Sequence, residues 1–148
     1  MARIDGYDFP DDLWYDPKEH LWIRPAEAED SWLLTVGVDA IGQEALGELV
    51  YVQLMEAGRV VGRGDAVGAL EAEKMVRPVL APVSGTLAEV NEAVLAAPRL
   101  LNQDPYRQGW LLRVRARDWE AERGDLLHGG ETVGAWIRAE IKAYNERR

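Results

Sequence analysis

Lys74 sits in Leu70-Glu71-Ala72-Glu73-Lys74-Met75-Val76-Arg77, one amine between two carboxylates and a thioether, inside an apolar, alternating stretch. A lysine there can form an amide: once deprotonated, its amine attacks an activated acyl group such as an acyl-adenylate. In a turn, a surface lysine is ordinarily only a solvated charge. The flanking residues argue for more. From Asp65 the chain reads Asp-Ala-Val-Gly-Ala-Leu-Glu-Ala, and after the lysine Val76-Arg77-Pro78-Val79-Leu80. Both runs are short, and turn signals bound them: Gly62 and Gly64 before, Pro82 with Ser84-Gly85 after. The pattern predicts a hairpin with Lys74 at its tip, where neither strand can cover it. Glu71 and Glu73 favour the charged ammonium, so activation falls to a modifying enzyme, and Glu71, Glu73 and Met75 become its recognition elements.

The rest of the chain must hold that hairpin. Leu21-Trp22-Ile23 and Trp32–Val38 read as paired strands joined by a polar loop around Glu27–Asp30. Asp39–Gly47 reads as a short helix, with Asp39 as N-cap and Gly47 as stop. Strand returns over Glu48–Leu54, and Thr86–Val90 alternates as a further one. Helices are predicted around Glu92–Ala97 and Asp118–Leu127. Val133, Trp136, Ile137, Ile141 and Tyr144 recur at three- and four-residue intervals, the apolar face of a C-terminal helix. The aromatic, acidic opening segment is expected to wrap over the core through Tyr7, Phe9, Trp14 and Tyr15.

At 148 residues and 47% hydrophobic, the chain is the size of one domain with room for a core. Its net charge of −9 argues against nucleic acid or an anionic membrane surface as partner. The chain has no cysteine, so any redox or sulfur chemistry must arrive on a cofactor. The N-terminus lacks an apolar signal core, and no run approaches a membrane span. The cytoplasm is the expected compartment.

The hairpin resembles the attachment hairpin of lipoyl and biotinyl carrier domains. An acidic residue before the lysine, as Glu73 is, resembles lipoyl domains. Met75 matches the second methionine of the biotinyl motif, but Glu73 replaces the first. The chain from about Tyr15 to Arg115 further resembles the H-protein family of the glycine cleavage system. Lys18-Glu19-His20-Leu21-Trp22 is similar to its Lys-Glu-His-x-Trp element, and Val36-Gly37-Val38 with Gln43–Val50 to its next strand, helix and strand. Lys74 stands eight residues before Pro82 of Ala-Pro-Val-Ser-Gly, and Asn102–Trp110 completes the pattern.

The resemblance implies a mainly β, lipoyl-domain-like barrel-sandwich hybrid with appended short helices and a C-terminal helix. Residues 1–148 would be one carrier domain, with its core at about 15–115 and a helical extension at about 117–148. It also implies lipoate in amide linkage to Lys74, attached by a lipoate-protein ligase or lipoyl-assembly enzymes, and a carrier rather than an enzyme. Several residues depart from the family pattern. Ala72-Glu73 and Met75 replace Ser-Val and Ala around the lysine, Met55 replaces a proline, and Asp39 a threonine. Together with both terminal extensions, these look closer to H-like lipoate-binding proteins of the heterodisulfide-reductase-like sulfur-oxidation system. The expected partner is then a heterodisulfide-reductase-like complex, with sulfur intermediates or electrons as cargo. The alternative is the aminomethyl shuttle of glycine cleavage, with glycine decarboxylase, aminomethyltransferase and dihydrolipoamide dehydrogenase. A biotinyl carrier or an unmodified interaction domain stays open.

His20 has two readings, a structural hydrogen bond or the lining of a resting place for the arm. Asn102, Tyr106 and Trp110 are further candidates for that lining, while Tyr106 and Trp110 also read as core. His20 and His128 make no metal site. Ser84 has no histidine partner in sequence, so a hydrolase is a poor reading. Gly62-x-Gly64 lacks the Gly-Lys-Ser/Thr of a phosphate loop.

Overall fold

The computed structural model describes residues 2–4 and 6–147. A small hairpin of β1 (Ala2–Ile4) and β2 (Tyr7–Phe9) opens the chain. Six strands form the larger sheet, in the order β3 (Trp14–Asp16), β4 (Leu21–Ala28), β5 (Ser31–Val38), β11 (Leu112–Ala116), β10 (Gly85–Val90) and β7 (Val60–Val61). The smaller sheet runs β6 (Leu49–Leu54), β8 (Ala66–Ala72) and β9 (Val76–Leu80). Between strands lie α1 (Ala40–Leu46), α2 (Glu92–Ala96) and α3 (Leu100–Gln103), and after them α4 (Trp119–Glu122) and α5 (Gly130–Arg147). All strand pairs are antiparallel, and among the described residues neither sheet closes into a barrel. The result is the lipoyl-domain-like sandwich with appended helices. No helix among the described residues is long and apolar enough to cross a membrane.

Alternation explains the main core. Leu21, Ile23, Leu34 and Val36 of the larger sheet share one buried cluster with Val52, Val67, Leu70 and Val79 of the smaller. Each such side chain contributes about 1.5–3 kcal/mol on burial, so this shared core, not strand pairing alone, holds the three-stranded sheet in place. A second core lies on the other face of the larger sheet. There Phe9, Leu13, Tyr15, Trp22 and Tyr106 meet Val133, Ile137 and Ile141 of α5. Trp22 lies so close over Gly37 that a Cβ there would stand 2.5 Å from the indole, so this crossing needs glycine. The N-terminal segment and C-terminal helix thus cover each other and the sheet.

Several sequence expectations shift. The loop expected around Glu27–Asp30 shrinks to a tight turn, because β4 runs through Pro25 to Ala28. Proline is tolerated there because β3 pairs only with Leu21–Ile23, leaving β4 an open edge beyond. The single helix expected over Asp118–Leu127 ends early. Asp118 caps α4 at Ala121 N (3.2 Å), a 3-10 turn follows over Arg123–Asp125, and Leu127 turns extended to exchange two 2.8 Å backbone bonds with Tyr15.

Candidate functional site

Lys74 lies at the tip of the β8–β9 hairpin. Ala72 N donates to Met75 O (2.9 Å), closing the turn, and Glu73 N donates to Glu48 O (3.1 Å), tying the tip to the residue before β6. The backbone under the lysine is therefore fixed while Glu71, Glu73 and Lys74 are exposed. Its aliphatic stem passes over Gly47, where a Cβ would come within 3.4 Å of Lys74 Cε. Gly47 has φ +85° and ends α1, with its N–H bonded to Gln43 O. A residue without a Cβ takes that conformation easily, and the lysine stem packs over it.

Asn102 belongs to this end of the site. Its Oδ1 accepts from Leu49 N (2.9 Å), and its Nδ2 donates to Gly47 O and to Gln43 Oε1 (both 2.9 Å). One side chain from α3 thereby fixes the α1–β6 connection on which the lysine stem lies. A β-bulge between Leu49 and Tyr51 does the rest. It turns Val50 (56% exposed) and Tyr51 (55%) outward together, beside Met75 (45%) and Val76 (66%). Tyr51 pairs with Glu71, and Glu71 with Val76. The tip thus carries an apolar surface interspersed with carboxylates, which suits recognition by another protein. Sequence reasoning singled out Met75 but not Val50, Tyr51 or Val76. The consecutive apolar residues of Leu49-Val50-Tyr51-Val52, which break strict alternation, carried the signal.

The opposite end of α1 is built differently. Asp39 is fully buried and caps the helix, its Oδ1 accepting from Gly42 N (2.8 Å). His20, at φ +55°, donates from Nδ1 to Asp39 Oδ2 (2.9 Å) and from Nε2 to Glu140 Oε1 (2.6 Å). Its ring also stacks on Trp136 of α5, with centroids 5.1 Å apart. Carboxylates only accept, so two such partners hold protons on both ring nitrogens. Burial pushes the imidazole pKa down, but the hydrogen bonds and charges of Asp39 and Glu140 outweigh it, and the net shift is upward. Tyr106 joins this end, its hydroxyl accepting from Ala40 N (2.9 Å).

Of the four candidates for lining an arm, Asn102 lies beneath Lys74. His20 and Tyr106 lie about 10 Å away along α1, at 1.5 Å per residue. Trp110 packs against the edge of the second core and lines a groove on the outer sheet face with Arg24, Arg107 and Arg113. Arg77, which sequence reasoning passed over, links the hairpin to the Asp16–His20 turn through a 2.6 Å bond to Glu19 O. Burial lowers the pKa of that guanidinium against the opposing charges of Glu19, Asp39 and Asp16, and its Nε is buried without a partner among the described residues. Beyond Glu19 a cleft of about 390 Å³ runs to Arg63, Pro82 and Asp125. Ser84, the serine with no histidine beside it in sequence, is bound to Glu122 through both N (2.7 Å) and Oγ (2.9 Å).

Known proteins decide the family. The profile of the glycine cleavage H-protein matches residues 13–138. The chain belongs to that family. It is 42% identical over 123 residues to a glycine cleavage system H protein of Thermus thermophilus, covering 83% of this chain and 91% of the relative. The glycine cleavage system H protein 2 of Aquifex aeolicus is 33% identical over 147 residues, 99% of this chain and 86% of its own. Among solved structures, the glycine cleavage system H protein of Mycobacterium marinum superposes with a TM-score of 0.73 at 37% identity, covering 86% of this chain and 98% of its own. The H-protein family match thus includes the hairpin, α1 and the α3 block in one alignment.

Proposed function

We propose that this chain is a lipoyl carrier of the glycine cleavage type, loaded on Lys74, and not an enzyme. The observation that carries this is the lysine itself: exposed at a hairpin tip whose backbone is bonded to the residue before β6 and whose bed is pinned by Asn102, in a chain of the H-protein family. Lipoate fits this position. An amide there replaces a solvated ammonium, so no buried charge is stranded, and the acidic and apolar tip offers the attaching ligase its grip. When bound, the lipoyl group supplies the disulfide/dithiol couple that a cysteine-free chain lacks. The residues of the chain fix where the arm is rooted, keep the tip clear of neighbouring strands and present the surface on which partners dock. Tethering raises the effective concentration of the cargo at each partner in turn.

In this reading the protein passes an aminomethyl group from a glycine decarboxylase to a tetrahydrofolate-dependent aminomethyltransferase, with dihydrolipoamide dehydrogenase restoring it. That reverses the order of the two pathways expected from sequence. The sulfur-oxidation reading rests on Ala72-Glu73, Met75, Met55, Asp39 and the terminal extensions. Asp39 has a structural reason, as cap of α1 and partner of His20. The extensions do not separate the pathways either, since the Aquifex relative named for glycine cleavage matches 99% of this chain. Glycine–bicarbonate exchange with the glycine decarboxylase of the same organism tests the reading. Lipoylated protein should support exchange and the Lys74→Arg variant should not. An inactive lipoylated protein that instead binds a heterodisulfide-reductase-like complex would restore the sulfur role.

A further inference from the structure

The outer face of the six-stranded sheet is only half covered. Trp22 and Gly37 lie under the second core, but the next row along the strands is open. Register places Arg24 opposite Thr35, and Thr35 opposite Arg113. From the loop after α3, Arg107, Gln108 and Trp110 complete a groove of about 540 Å³. Among the described residues, three of the six that line it are arginines and none of the six is acidic, in a chain of net charge −9. The Arg113 guanidinium lies 4.0 Å from the Trp110 ring centre and is steadied by Thr35 Oγ1 (3.1 Å) and, at the rim, Glu89 (2.7 Å). Arg24 is held by a bond to Tyr106 O (3.0 Å) and lies over Trp22. Arg107 is exposed.

We propose that this groove is the docking site for a carboxylate-rich segment of a partner protein that exchanges cargo with the arm; the proposal rests on the carrier reading for that last clause. Charge complementarity selects the occupant. Arg24 and Arg113 stand two strands apart, about 10 Å between backbones, and each has part of its guanidinium already engaged. Two guanidinium groups rooted two strands apart fit several carboxylates along a chain better than one small anion. Arginine and tryptophan set against each other are the composition of an interface centre. The net charge of −9 disfavours unspecific contact with such a segment, so a locally basic groove orients the encounter. The position is also useful: Asn102 holds the bed of Lys74, and the five residues from there to Arg107 span at most about 18 Å. A partner anchored in the groove therefore keeps its active site beside the hairpin.

The test uses full-length lipoylated protein and a glutamate decapeptide, followed by NMR at low salt. The peptide should shift the Trp110 indole and the Arg24 and Arg113 guanidinium signals. Arg107→Glu should weaken its binding about tenfold, while Lys142→Glu on α5 leaves it unchanged. With glycine decarboxylase, Arg107→Glu should raise the KM for the carrier with kcat and lipoylation unaltered. Shifts scattered over the surface, equal weakening by Lys142→Glu, or displacement of the peptide by inorganic phosphate at equal concentration would overturn the proposal. Tighter binding of a single-stranded oligonucleotide than of the peptide would do so too. If wild-type protein binds the peptide in the groove but supports no exchange, the carrier reading fails while the groove stands.

Discussion

The two ends of α1 carry opposite kinds of polar site. At its C-terminal end Lys74 rises from a turn fixed by backbone bonds and by Asn102, while the lysine side chain itself is exposed. At its N-terminal end His20, Asp39 and Glu140 form a partly buried network with every ring nitrogen bonded. A search for chemistry by density of titratable groups selects the second, yet that network fastens α5 and the second core to the sandwich. The proposed carrier role needs a rigid root and an exposed amine, and the lysine end has both. The histidine end provides stability.

Substitutions separate the two ends. The largest effect is on Lys74→Arg, which should abolish modification completely because a guanidinium is not a usable nucleophile. Its unfolding free energy should stay within about 0.5 kcal/mol of wild type, as for other exposed positions. Intact mass and chemical denaturation read the two quantities. Asp39→Ala should do the reverse. It removes a helix cap and leaves a partly buried imidazolium short of its main partner, a cost of about 3 kcal/mol, while Lys74 should remain a substrate for the ligase.

Glu140→Gln is expected to be milder, about 1.5 kcal/mol, the low end for a hydrogen bond to a charged group because a neutral acceptor remains, and its pH dependence gives a sign. The folded-state pKa of His20 is raised above its ordinary 6.5. The stabilisation is therefore complete below about pH 6.5 and is lost as pH rises through the raised folded value. The gap between wild type and Glu140→Gln should be widest at mildly acidic pH and narrow on the alkaline side, as urea denaturation across pH will show. A constant gap would mean that Glu140 acts through packing rather than charge. The smallest effect on stability belongs to Glu73→Val with Met75→Ala, within about 0.5 kcal/mol. Their change should lie in which ligase lipoylates the protein, and equal rates with every ligase tried would remove Glu73 and Met75 from recognition.

Much of the lysine end is legible in the sequence. Two short strands with turn residues at their ends define the hairpin, and Asp39 and Gly47 mark α1 to within a residue. Local rules suffice there because the elements are bounded by their own turn chemistry. Strand β11, which sequence reasoning passed over, carries the same kind of signal: Leu112, Val114 and Ala116 point inward while Arg113 and Arg115 alternate with them. The cationic groove carries no local signal. It depends on Arg24 and Arg113, far apart in sequence, meeting across Thr35. The His20–Glu140 bond is longer-range still and depends on where α5 packs. Tyr51 is turned outward by the bulge, and its trace in the sequence is the break in alternation over Leu49-Val50-Tyr51-Val52.

Peptide mapping of the protein purified from lipoate-replete cells of its own organism tests the role of Lys74 most directly. One lipoyl group per chain, on the peptide containing Lys74 and no other, is the result predicted. An unmodified intact mass, biotin on Lys74, or lipoate on Lys18 or Lys142 would contradict it.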